Sequence, residues 1–85
     1  MRIFGRPVGN LLKFEGADAP ELQDLEVVAD PQTLRRLAGF FSDAAAAMEA
    51  KGETFEHLHL LDAWGAHGTK TPDILVSRET QESRK

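Results

Sequence analysis

Asp30-Pro31-Gln32-Thr33-Leu34-Arg35-Arg36-Leu37-Ala38-Gly39-Phe40-Phe41-Ser42-Asp43-Ala44-Ala45-Ala46-Ala47-Met48-Glu49-Ala50-Lys51-Gly52 reads as one helix from end to end. Asp30 is a good N-cap, because its carboxylate can accept backbone N–H groups of the first turn. Pro31 suits the first helical position, where its missing N–H loses nothing. Leu34, Leu37, Ala38, Phe41, Ala45 and Met48 recur at spacings of three and four, which predicts a helix with these residues on its buried face. Phe40 sits beside that stripe; it either widens the core or stands exposed as an interface residue. Lys51 in the last turn suits the helix dipole, and Gly52 is a C-terminal stop. Gly39 costs about 1 kcal/mol relative to alanine in a helix interior, so it reads as a point of close approach.

Short apolar runs flank the helix. Leu25-Glu26-Val27-Val28-Ala29 alternates as a strand before it, with Leu25 and Val27 on one face. His57-Leu58-His59-Leu60 alternates after it, with Leu58 and Leu60 toward the core and Trp64 at the strand's end. Asp73-Ile74-Leu75-Val76-Ser77 is a further strand, and residues 65–72 form the turn that lets the last two pair antiparallel. Arg2-Ile3-Phe4 and Leu11-Leu12-Lys13-Phe14 are shorter strand candidates. One amphipathic helix needs one apolar surface to cover. The expected fold is therefore α+β and two-layer: one long helix on an antiparallel sheet of about four strands, in the order strand–strand–helix–strand–strand. Residues 1–76 form the single expected domain, with 77–85 as a frayed tail.

The 85 residues contain no cysteine, which removes disulfides, thiolate nucleophiles and cysteine-ligated zinc together. No secretory signal follows Met1 and no run approaches the roughly 18 apolar residues of a membrane span, so the expectation is a cytoplasmic protein without a membrane partner. The net charge is −4, and from Phe14 to Asp30 every charged residue is acidic: Glu15, Asp18, Glu21, Asp24, Glu26 and Asp30. Such a segment argues against nucleic acid, which needs a basic footprint. It suits a basic protein partner, while the plain alternative is a solvated acidic loop.

Candidate chemistry is sparse. His57 and His59, at i and i+2 on a strand, leave by the same face within reach of one metal ion. Two ligands fall short of the three or four that zinc takes, and Glu56 and Asp62 lie on the opposite parity. The alternative is a pair of histidines on a wet face or in a partner's interface. No serine sits on a nucleophile elbow, and the glycines form no phosphate loop, so no catalytic residue, no bound metal and no cofactor is expected. Trp64, the one tryptophan, is either a core plug or an interface anchor.

The run from Ala29 through Pro31, Leu34, Leu37-Ala38 and Phe41, continuing through Ala44 to Met48 and into Phe55-Glu56-His57-Leu58-His59-Leu60, resembles the immunity proteins of bacterial polymorphic-toxin systems, specifically the family numbered thirty-two. The resemblance covers about residues 25–62. It implies a small, bacterial, cytoplasmic α+β protein that binds and neutralises a cognate toxin without catalysis. On that reading the expected partner-binding residues are Asp18, Glu21, Asp24, His57, His59 and Trp64, and if the toxin is basic, the charge of the Glu15–Asp30 segment makes it the docking surface. The alternatives from other classes are a self-associating structural or regulatory domain, a homodimer joined through an exposed strand edge, and a small metal-binding protein built on His57 and His59.

Overall fold

The computed structural model describes residues 1–8 and 20–79, so Asp18, Glu15 and the Leu11–Phe14 strand candidate lie outside the described residues. Along the chain come β1 (Arg2–Pro7), β2 (Leu22–Val28), α1 (Pro31–Lys51), a 3-10 turn (Gly52–Thr54), β3 (His57–His59), α2 (Leu60–Trp64) and β4 (Leu75–Ser77). The chain is α+β with one long helix, as expected.

Helix α1 begins and ends where its caps place it. The Asp30 carboxylate accepts the Thr33 N–H at 2.7 Å, and that bond, the largest influence on it, holds Asp30 below the usual carboxylate range. At the other end Gly52 adopts φ +56° and returns its N–H to the Met48 carbonyl. A side chain is strained at that φ, so glycine belongs there. The Arg78 guanidinium also donates to the Met48 carbonyl at 2.8 Å. This bond ties the chain beyond β4 to the negative end of the helix dipole.

The face of α1 that enters the core differs from the expected one. Leu37, Phe40 and Ala44 are buried, whereas Leu34, Ala38, Phe41 and Ala45 are exposed. Both sets have helical spacing. The core takes the set that meets Leu60, which is fully buried, with Leu58, Trp64, Ile74, Val76, Val27 and Met1 packed around it. Phe40 therefore widens the core, and Phe55 closes it beyond the helix end. Gly39 is not a point of close approach: a Cβ built there meets nothing within 4 Å.

In place of one sheet of four strands there are two antiparallel pairs, β1–β2 and β3–β4. The reason is local to β3. After three residues the chain coils into α2 at Leu60, because the Asp73 carboxylate captures the Leu61 N–H at 3.0 Å while the Leu60 N–H donates to the Ile74 carbonyl at 2.8 Å. A three-residue strand offers too short an edge to join a second ribbon. Trp64 consequently ends a helical turn, where Gly65 follows in the left-handed conformation. The β3–β4 pairing follows the expected antiparallel hairpin, with His57 opposite Ser77 and His59 opposite Leu75.

Candidate protein-binding surface

The β1–β2 ribbon pairs Arg2 with Val28, Ile3 with Val27, Phe4 with Glu26, Gly5 with Leu25 and Arg6 with Asp24. Side chains alternate between faces along each strand, so Ile3, Val27 and Leu25 share one face. The register shifts between Arg6 and Pro7, and Leu22 joins that face as well, since its methyl group lies 2.6 Å from where a Gly5 Cβ would stand. The face is continuous and apolar, but only one end is covered. Val27 packs against the core, while Leu25 is 58% exposed and Leu22 43%.

The opposite face mixes charged side chains with the exposed Phe4 and Val28. The Arg6 guanidinium bonds the Asp24 carboxylate, its Nε at 2.9 Å. Arg2 stacks 5.1 Å over the Phe4 ring. Phe4, Gly5, Arg6, Asp24, Leu25 and Glu26 line a shallow concavity of about 450 Å³ along the ribbon. Among the described residues neither strand has a second neighbour, so each presents an unpaired outer edge. Such an edge is a template for another strand.

The acidic stretch is less uniform in space than in sequence. Asp30 is a helix cap and Asp24 carries Arg6, so Glu21 and Glu26 are the described acids of that stretch without such a role. Arg6 has no sequence signal linking it to Asp24, because the pairing depends on strand register across 18 residues.

His57 and His59 do leave β3 on one face, with ring centroids 5.0 Å apart and edge to face. His59 has a titratable neighbour that the alternation does not reveal. His59 Nδ1 lies 2.7 Å from an Asp73 oxygen. Asp73 is held below the usual carboxylate range, first by the Leu61 N–H and then by His59. An ionised carboxylate can only accept, so His59 Nδ1 carries the proton of that bond. Asp62, which lies on α2 rather than on a strand, pairs with His67 Nε2. Among the described residues no three His, Asp or Glu side chains converge to hold a metal ion.

Trp64 is half-buried beneath Arg36, whose guanidinium carbon stands 4.1 Å above the ring. Depressions of about 260 and 330 Å³ lie on either side of this stack. The ring's inner side belongs to the core, so Trp64 is joined to both the interior and the surface. The structure thus leaves Glu21 just before β2 and Asp24 on β2 paired with Arg6, brings His57 and His59 together on β3, and stacks Trp64 under Arg36 of α1.

Among the described residues no helix is long and apolar enough to cross a membrane. No family model, no curated protein and no solved structure matches the chain.

Proposed function

We propose that this chain is a non-catalytic protein-binding module of the immunity type, which neutralises a basic bacterial toxin in the cytoplasm by covering it with the β1–β2 ribbon. One observation carries the reading: the ribbon's apolar face leaves the core at Val27 and continues into solvent through Leu25 and Leu22. A two-stranded ribbon alone is marginal in water, and an apolar face with free edges gains stability from a partner that covers it. Glu26 on β2 and Glu21 just before it, the acids that neither cap the helix nor carry Arg6, favour a basic partner and speed the encounter. Asp18 adds to the same charge. An inhibitor of this kind needs complementary surface of roughly 800 Å² and no reacting group. The likeness of residues 25–62 to toxin-immunity proteins points the same way.

Co-expression with candidate toxins tests this reading. The chain is expected to restore growth against one of them and to co-purify with it. Leu25→Glu should abolish both effects while leaving the melting temperature unchanged, since Leu25 is exposed. Protection that persists in Leu25→Glu would remove the ribbon from the interface, and protection against none of the toxins would remove the function.

A further inference from the structure

Leu58 and Val76 of the β3–β4 pair pack against the core, so the residues of opposite parity face away from it. On that outer side His57 stands opposite Ser77 and His59 opposite Leu75. The two imidazole centroids are 5.0 Å apart. A metal–nitrogen bond of about 2.0 Å and about 1.15 Å from nitrogen to ring centre put two imidazoles on one ion about 4.5–5.1 Å apart, from right-angled to tetrahedral ligands. The observed separation falls in that interval. Asp73 fixes one of the rings. Its carboxylate is anchored by the Leu61 N–H and accepts from His59 Nδ1, so the neutral imidazole keeps its lone pair on Nε2. A carboxylate behind a histidine sets the ring's orientation and makes the other nitrogen a better ligand. The His57 ring, set at 83° to that of His59, takes no hydrogen bond among the described residues. Turning it about its Cβ–Cγ bond re-aims its nitrogens and leaves the ring centre nearly in place.

From this geometry we infer that His57 and His59 form a two-imidazole chelate for a Cu²⁺ ion, with Asp73 as the residue that positions His59. Two protein ligands fall short of a zinc site, which takes three or four. Cu²⁺ heads the affinity order of the first-row divalent ions and accepts a square of nitrogen and oxygen ligands. Water supplies the oxygens, because the site is open: His57 is exposed and the His59 side chain is 37% exposed. The strand supplies the chelate. Residues two apart project to one side, so once one imidazole has bound the ion the other is present at high effective concentration. His67, the third histidine, is the control within the same chain. It pairs with Asp62 through Nε2, and no ring contact joins it to His57 or His59. The site lies on β3 and β4 and leaves the β1–β2 ribbon free, so it is independent of the toxin-binding proposal.

Titration of the full chain with Cu²⁺, followed by calorimetry and by electron paramagnetic resonance, is the test, with four variants. The wild type should take one Cu²⁺ whose spectrum shows two imidazole nitrogens. His57→Gln and His59→Gln should each weaken binding by at least about tenfold and leave one nitrogen. His67→Gln should change neither the affinity nor the spectrum. Asp73→Asn should weaken binding by about tenfold or more yet keep both nitrogens, as expected of a positioning residue and not of a site that has come apart. Metal-free His57→Gln should melt as the wild type does, since His57 is exposed. Equal affinity in His57→Gln and wild type, or an equal loss in His67→Gln, would reduce the site to adventitious histidine binding and overturn the inference. So would a wild-type spectrum with one imidazole nitrogen or none.

Discussion

Leu37 and Phe41 lie one turn apart on α1, yet Leu37 is 5% exposed and Phe41 47%. The helix presents two adjacent apolar stripes, and only one enters this chain's core. Leu37→Ala removes buried methyl groups from the Leu37–Phe40–Leu60 cluster and should cost about 2–5 kcal/mol. Phe41→Ala removes a half-exposed ring and should cost less than Leu37→Ala. Urea unfolding of the two variants checks the order. An equal loss would place Phe41 in the core.

Gly39 lies in the interior of α1 with open space around the position of a Cβ. Alanine there should stabilise the chain by about 1 kcal/mol, the helix-propensity difference between the two residues. A higher urea midpoint with an unchanged slope is the expected reading.

The Asp73 carboxylate fastens the start of α2, through the Leu61 N–H, to His59 on β3. Its folded pKa is depressed, so the sign follows directly. The stability it contributes is fully present above the ordinary carboxylate value near 3.9 and is lost as pH falls through the lower folded value. Asp30 follows the same rule in the same window. Asp73→Asn should lower the melting temperature at neutral pH and flatten its fall below about pH 4. Parallel curves for variant and wild type would show that the carboxylate's charge contributes nothing.

Arg36 covers the outer face of Trp64, the only tryptophan and thus a clean fluorescent probe. Arg36→Ala should expose the ring, shift its emission to the red, and cost about 0.5–1 kcal/mol, as for an exposed cation–π contact. Unshifted emission would mean the ring is shielded by the core alone.

Residues that act within one turn were legible without coordinates. Asp30, Pro31 and Gly52 fix both ends of α1, because capping needs only neighbouring backbone groups. The alternation of residues 57–60 likewise placed Leu58 and Leu60 inward and His57 and His59 on one face. Spacing sets the period of a helix but leaves its phase open when two neighbouring stripes are both apolar. Which stripe turned inward was decided by Leu60, Trp64 and Val27 arriving on the side of Leu37 and Phe40. The division of the sheet into two ribbons, the Arg6–Asp24 pair and the hold of Asp73 on Leu61 depend on groups 12 to 18 residues apart. Only the folded chain brings groups so far apart in sequence within hydrogen-bond distance, and so only the tertiary structure could decide them.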